Sequence, residues 1–180
     1  MTLEEYFAAD ETSEVRLEYV DGEVFPIEAA SVVHGQISVR LAGALRSRLA
    51  KNGCDAAAAT RVRAKSGKFL FPDLLAFCGA PVLIEGRSDT IANPKAIFEI
   101  LSPGTEAYDR GGKFEFYETI DTLEEYVLVS QHKPRIEVFT RAEEAAWIRH
   151  THTGMDATAE LKSLGITLPL AEVYADLFDE

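Results

Sequence analysis

Residues 68–77 read KFLFPDLLAF, and one acid inside this apolar run, Asp73, decides how the fold is interpreted. The run predicts a buried strand near 69–77, joined by a turn at Ser66-Gly67 to another strand near 55–64. Regular alternation covers both of its faces, with Phe69, Phe71, Leu75 and Phe77 beside the acid and Leu70, Leu74 and Ala76 opposite. Burying an unpaired carboxylate is costly, so we expect a positive group close to Asp73.

A second acid interrupts a second apolar run, AIFEIL at 96–101. Glu99 lies between Ile97 and Leu101 on one face of the predicted strand, with Phe98 and Ile100 on the other. If the two strands are neighbours, Asp73 and Glu99 come within a few ångströms of each other, which requires a shared proton or a bridging cation such as Mg²⁺. The alternative is that an arginine or backbone donors satisfy each acid separately.

The segment that follows, SPGTEAYDRGGKFEFYE at 102–118, predicts a helix over about 107–120. Asp109, Lys113 and Tyr117 are four residues apart and share one helix face. Lys113 could reach back over the tip of the Glu99 strand and stabilise the charge that develops during phosphate chemistry. The alternative for Lys113 is a simple ion pair with Asp109.

The remaining patterns predict an α+β fold, with a central mixed sheet flanked by helices in an α/β/α-like arrangement. A capping box opens a first helix at Thr2–Glu5, Asp21-Gly22 marks an N-terminal β-hairpin, and Ser31 caps a helix over about 32–51. Later strands are expected near 125–130, 135–140 and 145–152, before a last helix in LAEVYADLF at 170–178.

Composition describes an ordinary globular chain of 180 residues, for which we expect one domain, residues 1–180. No apolar run approaches the roughly 20 residues of a membrane span, and the acidic start MTLEEYFAAD does not resemble a signal peptide. Cys54 and Cys78 have no metal-like spacing, which favours reduced thiols in a cytoplasmic protein.

The net charge of −12 argues against indiscriminate nucleic-acid binding, but the charge is unevenly distributed. Residues 29–72 carry +7, leaving −19 on the rest of the chain. This basic stretch is either a solvated helix face and hairpin or a surface that faces phosphates. Its basic residues are Arg40, Arg46, Arg48, Lys51, Arg61, Arg63, Lys65 and Lys68.

The order of these motifs resembles the PD-(D/E)XK nuclease superfamily, with Pro72-Asp73 as the first half of its pattern and Glu99-Ile100-Leu101 as the second. Leu101 departs from the pattern, because it stands where a lysine is expected. A bacterial family of putative restriction endonucleases, the Uma-two type, shares this departure and carries its lysine on the following helix. The segment EILSPGTEAYDRGGKFEFY at 99–117 is similar to that family's motif, as are LEYVDGE at 17–23 and SVVH at 31–34.

The resemblance implies a restriction-endonuclease-like core and a metal-dependent endonuclease that acts on DNA. Asp73 and Glu99 would bind Mg²⁺ or Mn²⁺ together with the carbonyl of Ile100. Glu18 would be a third acid on the same ion or a second one, unless it is an exposed hairpin residue. Lys113 would position and activate the attacking water, with Ser102, His34 and Gln36 as outer residues at most.

Two further functions stay open at this point. One is a nuclease-fold module that binds nucleic acid or protein without cutting. The other is a small-molecule phosphodiesterase, or another metal-assisted hydrolase, that uses the same ligands. A homodimer is expected from the resemblance, since cutting both strands requires two sites.

Overall fold

The computed structural model describes residues 1–27, 29–143 and 146–178. Its helices are α1 (Leu3–Thr12), α2 (Val32–Leu49), α3 (Glu106–Tyr108), α4 (Phe114–Tyr117) and α5 (Leu170–Tyr174). Its strands are β1 (Leu17–Val20), β2 (Glu23–Pro26), β3 (Cys54–Ala58), β4 (Arg61–Arg63), β5 (Phe69–Leu70), β6 (Leu74–Cys78), β7 (Thr90–Ile91), β8 (Ala96–Leu101), β9 (Glu125–Ser130), β10 (Arg135–Arg141), β11 (Trp147–Thr153), β12 (Thr158–Leu161) and β13 (Ile166–Pro169). The predicted strand near 145–152 corresponds to β11, and its expected first residue lies outside the described residues.

A six-stranded mixed sheet in the order β11-β10-β9-β8-β6-β3 forms the centre of the molecule. Strands β8 and β9 are parallel, and the other neighbours in this sheet are antiparallel. Helices α2 and α5 pack on one face through a buried apolar cluster, while α4 and a second sheet pack on the other face. The predicted α+β arrangement, a mixed sheet between helices, is therefore confirmed.

The second sheet has the order β2-β1-β5-β4-β7 and contains the predicted N-terminal hairpin. Asp21 and Gly22 both have positive φ, at 51° and 90°, as the turn of a tight hairpin requires. The caps at Thr2 and Ser31 are also confirmed, because each side chain accepts a hydrogen bond from a backbone N–H in its first turn.

The prediction of one continuous strand over 69–77 is wrong, because β5 and β6 belong to different sheets. Pro72 supplies no backbone donor, and the donors on either side of it bond to side chains instead of a ladder. The N–H of Phe71 donates to Glu18 at 2.9 Å and that of Asp73 to Glu99 at 3.3 Å. Asp73 is consequently part of a break between strands rather than covered on both faces.

Two other predicted elements are also divided. The strand expected near 55–64 is split into β3 and β4, with Ala59 between them at a φ of 58°. The helix expected over 107–120 contains a π-helical turn, Asp109–Lys113, between α3 and α4. Such turns in α-helices are frequent at functional sites. The sequence patterns also missed the hairpin of β12 and β13.

The prediction of reduced cysteines is wrong, since Cys54 and Cys78 form a disulfide. They are register partners on the antiparallel strands β3 and β6. Their separation of 24 residues gave no sign of this pairing, which depends on how the strands are placed. The cysteines therefore no longer support a cytoplasmic location, which remains a prediction.

Replacing both cysteines with alanine should lower the free energy of unfolding by about 3 kcal/mol, the loop-closure entropy for a cross-link of this length. The melting temperature would fall by about 10 °C. Calorimetry of the wild-type and double-variant proteins without reductant measures the difference. Free thiols in the denatured, unreduced wild-type chain would contradict the disulfide itself.

Within the residues that the structure describes, none of the helices is both long and apolar enough to cross a membrane.

Candidate active site

The register of two central strands brings Asp73 and Glu99 together. Leu74 on β6 pairs with Phe98 on β8, so Asp73 lies opposite Glu99 one step beyond the ladder. The hydrogen bond from the Asp73 N–H to Glu99 Oε2 fixes this arrangement. The expectation that the two strands are neighbours and that their acids converge is met by this geometry.

Glu99 is buried, with 3% of its surface exposed. Its Oε1 accepts hydrogen bonds from the Tyr117 hydroxyl at 2.9 Å and from Lys113 Nζ at 3.1 Å. Burial raises the pKa of Glu99 well above its usual value, against the opposing effect of the Lys113 charge. The pKa of Tyr117 is raised in the same way, first by burial and then by the charge of Glu99.

Asp73 faces a cavity and keeps 26% of its side chain exposed. Its Oδ2 accepts a hydrogen bond from the backbone N–H of Ile100 at 2.7 Å and lies 3.2 Å from His34 Nε2. The hydrogen bond with Asp73 raises the pKa of His34, and burial partly opposes this rise. The backbone of Ile100 also raises the pKa of His34.

Glu18 points into the site and is buried, so it is not an exposed hairpin residue. Strand β1 carries it, and its Oε1 accepts a hydrogen bond from the Phe71 N–H. The same oxygen lies 3.4 Å from Lys113 Nζ. Glu18 therefore links the hairpin sheet to the break before Asp73.

Lys113 lies at the centre of the acids, at the end of the π-helical turn. Its Nζ contacts Glu18 and Glu99, and it also lies 3.6 Å from Asp109 Oδ1. Burial alone would lower the pKa of Lys113, but the charges of Glu99, Glu18 and Asp109 outweigh this and raise it above its usual value. The lysine is a permanent ammonium group here. Both sequence interpretations apply, because it pairs with Asp109 and also reaches the strand tip.

The site holds more negative than positive charge. Asp109 is buried and accepts a hydrogen bond from the Thr105 hydroxyl at 2.7 Å. Burial raises its pKa, and the Lys113 charge opposes the rise. Three of the four acids lie within 3.6 Å of the Lys113 ammonium and Asp73 contacts His34, an arrangement that favours a further cation. The four acids are Glu18, Asp73, Glu99 and Asp109.

An open cavity of about 850 Å³ leads to these groups. Its floor is made by Asp73, Glu99 and Lys113. Its walls come from the hairpin and the segment after it, the first turn of α2, the loop 102–105 and the face of α3. This volume lies within the range of small-ligand pockets, so solvent and substrate groups can reach the acids.

The donor set fits a divalent ion, although the described residues contain no ready-made cluster of three or more His, Cys, Asp or Glu ligands. Mg²⁺ usually takes one or two protein carboxylates and completes its shell with water and substrate phosphates. Asp73 and Glu99 supply two such carboxylates at the cavity floor. The carbonyl of Ile100, the third predicted ligand, stays a prediction.

The sequence patterns gave little or no indication that some of these residues belong to the site. His34, expected to be an outer residue at most, contacts Asp73, which is itself a predicted ligand. Asp109 was recognised only as a partner of Lys113, and Arg16 and Tyr108, which line the cavity, carried no sequence signal. Of the other outer candidates, Ser102 lines the cavity and hydrogen-bonds to Thr105. Gln36 is exposed and lines a separate shallow depression on α2.

Comparisons with known proteins agree with this architecture. Two uncharacterized proteins of Synechocystis sp. (strain ATCC 27184 / PCC 6803 / Kazusa) are similar over most of their length. One is 30% identical over 97% of this chain and 91% of its own, and the other is 26% identical over 92% and 95%. The crystal structure of a putative nuclease belonging to DUF820, from Anabaena variabilis ATCC 29413, superimposes with a TM-score of 0.76. That structure is 18% identical and covers 99% of both chains.

The likeness in fold confirms the predicted restriction-endonuclease-like core. The family model named Uma2, described as "Putative restriction endonuclease", matches residues 3–171. That range contains the hairpin acid, both strand acids and the helix lysine. The chain therefore belongs to the Uma2 family of putative restriction endonucleases.

Proposed function

We propose that the protein is a metal-dependent endonuclease that hydrolyses phosphodiester bonds in DNA. One observation carries the proposal: the carboxylates of Asp73 and Glu99 and the ammonium of Lys113 converge at the floor of an accessible cavity. Acids, a lysine and an open approach are what phosphodiester hydrolysis with a divalent ion requires. Membership of a family of putative restriction endonucleases supports it.

Asp73 and Glu99 would hold Mg²⁺ or Mn²⁺, with Glu18 and the Ile100 carbonyl as further candidates. The bound ion would supply positive charge next to the scissile phosphate and make an attacking water more acidic. The cavity leaves space for the phosphate above these carboxylates.

Lys113 would act as a fixed hydrogen-bond donor. Its raised pKa keeps the proton on Nζ, so it orients a water and stabilises negative charge instead of removing a proton. Tyr117 supports this position of Lys113, because the Tyr117 hydroxyl donates to the same Glu99 oxygen as Lys113 Nζ does. Asp109, held by Thr105, would keep the ammonium on the side of the helix.

His34 would position Asp73. The ring lies against Oδ2, while the Ile100 N–H donates to that same oxygen. The two contacts hold the carboxylate in one orientation at the mouth of the site, as supporting residues do around metal ligands.

A single domain over 1–180 and a homodimer remain predictions that accompany the proposal.

Incubation with supercoiled plasmid tests the proposal. We expect nicking and linearisation with Mg²⁺ or Mn²⁺ and none in excess chelator. Asp73→Asn keeps the shape of the side chain but removes its charge, and should lower the cleavage rate by about a hundredfold. The rate is measured from gel densitometry of the nicked and linear products.

Asp156→Asn is the matched control, since Asp156 is exposed and away from the cavity. Its cleavage rate should equal that of the wild type. Circular dichroism would establish that both variants are folded. Folded, metal-supplemented protein that cuts neither DNA nor RNA would refute the enzymatic proposal.

A second candidate is a nuclease-fold module that binds without cutting. It is favoured by the position of Lys113, whose ammonium bridges Glu18 and Glu99. Calorimetric titration with Mn²⁺ separates the two candidates. Heat of binding that disappears in Asp73→Asn supports the enzyme, and its absence in the wild type supports the silent module.

A further inference from the structure

Four aromatic side chains line the cavity, and the proposed hydrolysis has no use for them. Phe25 of β2 and Tyr108 of α3 are 45% and 37% exposed, respectively. Phe71 and Phe116 also line the cavity and are partly buried. Exposed aromatic rings that line one concavity commonly mark a binding site.

The absence of a side chain at Gly112 allows the Tyr108 ring to lie close to the acids. A Cβ added at Gly112 would lie 2.9 Å from the Tyr108 ring, so the ring occupies space that any other residue would fill. At the neighbouring Gly111 an added Cβ would meet nothing within 4 Å. The seated ring lies with its centroid 5.8 Å from Lys113 Nζ. Gly112 thus allows an aromatic surface directly beside the catalytic lysine.

A positive side chain lines the same cavity. Arg16 is exposed, and its guanidinium lies 5.7 Å from the centre of the Phe71 ring. Arginine in this setting suits a phosphate group. The three features together suit one nucleotide. The aromatic surface can stack on the base, the arginine can bind the phosphate, and the acidic floor lies where the scissile bond would be.

The surface outside the cavity offers a long duplex less positive charge than the sequence alone suggests. Four of the eight basic residues in the stretch 29–72 pair with acids of the same chain. Arg61 is fully buried against Asp10 and Asp89. The other pairs are Arg48 with Glu172, Lys65 with Asp121 and Lys68 with Asp21. These pairs offset half of the basic side chains that a basic stripe along duplex phosphates would use.

We infer that the cavity accepts one unpaired nucleotide of a single nucleic-acid strand, with its base stacked on Tyr108 and a neighbouring phosphate at Arg16. The inference rests on the proposed function and specifies its substrate as a single-stranded or locally unpaired site. Stacking on aromatic side chains is how proteins bind bases that are outside a helix, and it tolerates any sequence.

Fluorescence anisotropy tests the inference with the full chain and a dye-labelled DNA strand of about 16 nucleotides. The same sequence as a blunt duplex and as RNA supplies the comparison, and chelator prevents cleavage. We expect at least tenfold tighter binding of one of the single strands, DNA or RNA, than of the duplex. Tyr108→Ala should weaken that binding about tenfold, as expected for one lost base stack, while Tyr108→Phe should keep it.

Gly112→Ala and Gly111→Ala form a matched pair that leaves the aromatic side chain in place. Both changes favour a helical backbone to a similar degree, but only the first displaces the Tyr108 ring. We expect Gly112→Ala to weaken strand binding severalfold and Gly111→Ala to have no effect. Equal effects of the two would overturn the role of the seated ring.

Strand binding tests the inference and cleavage tests the proposed function, so the two proposals can fail independently. Strand binding that depends on Tyr108, without cleavage of any substrate, supports the inference and refutes the nuclease. Cleavage of duplex DNA that is unchanged in Tyr108→Ala supports the nuclease and overturns the inference. Equal affinity for strand and duplex, or no binding to either, overturns the inference as well.

Discussion

Lys113→Met is expected to reduce cleavage by about 10³-fold and to lower the free energy of unfolding by about 3–5 kcal/mol at neutral pH. The ammonium lies within 3.1 to 3.6 Å of three buried carboxylates, Glu99, Glu18 and Asp109. Methionine fills a similar volume without charge, so these acids lose the group that offsets their burial. Chemical denaturation followed by fluorescence measures the stability, and plasmid cleavage measures the activity.

The stability loss in Lys113→Met should depend on pH in a defined direction. The pKa of Glu99 and that of Asp109 are already raised by burial, and removing the lysine raises them further. A raised pKa in the folded state means that stability is highest below the pKa of the unfolded carboxyl and decreases as pH rises through the folded pKa. The variant should therefore be closest to the wild type near pH 5 and increasingly less stable towards pH 8.

Lys133→Met provides the control for Lys113→Met. Lys133 is exposed in the turn between β9 and β10, and losing its charge should change stability by less than about 0.5 kcal/mol. A Lys113→Met protein that is as stable as the wild type from pH 5 to 8 would show that the acids do not depend on this ammonium. Restored cleavage in Lys113→Arg would show that charge alone, rather than the shape of the lysine, is required.

The residues that the sequence predicted well are those whose placement follows from local periodicity. Glu99 faces α4 with Ile97 and Leu101 because alternation fixes the faces of a strand. Lys113 lies over Glu99 between Asp109 and Tyr117, as expected from residues four apart in a helix. Both patterns are short-range, so they persist even though a π-helical turn interrupts the helix.

The features that the sequence did not predict depend on contacts between distant segments. Nothing local to KFLFPDLLAF shows that Phe71 bonds to a hairpin acid, and therefore that the run divides between two sheets. The disulfide requires the register of β3 and β6, and the burial of Glu18 requires the hairpin to pack over the lysine. Gly112, against which the Tyr108 ring lies, belongs to the π-helical turn, and the glycine pair alone did not predict that turn.

Glu99→Gln is expected to abolish cleavage while making the metal-free protein more stable above about pH 7, by roughly 1 kcal/mol or a few degrees in melting temperature. Glutamine can still accept the hydrogen bonds from Tyr117 and Lys113. It removes one of the three carboxylates that share the Lys113 ammonium, and so relieves the repulsion from Asp73, Asp109 and Glu18. Lys113 keeps two acidic partners, Glu18 and Asp109.

The pH profile separates this explanation from a general effect of substitution. Burial raises the pKa of Glu99 in the folded state, so the wild type binds an extra proton on folding and loses stability as pH rises above about 4.5, the unfolded value. In Glu99→Gln that proton is absent, and the decline in stability between pH 5 and 8 should be shallower. Denaturant titrations in chelator at several pH values measure both slopes.

Glu125→Gln is the matched control for the loss of activity. Glu125 is also a buried acid with a pKa raised by burial, but it bonds to Ser163 on the opposite side of the sheet from the cavity. Its replacement should leave cleavage unchanged, because it contributes nothing to the cavity floor. A Glu99→Gln protein that is less stable than the wild type at pH 8 would mean that the carboxylate stabilises the fold. The excess negative charge would then not explain why this site favours a cation.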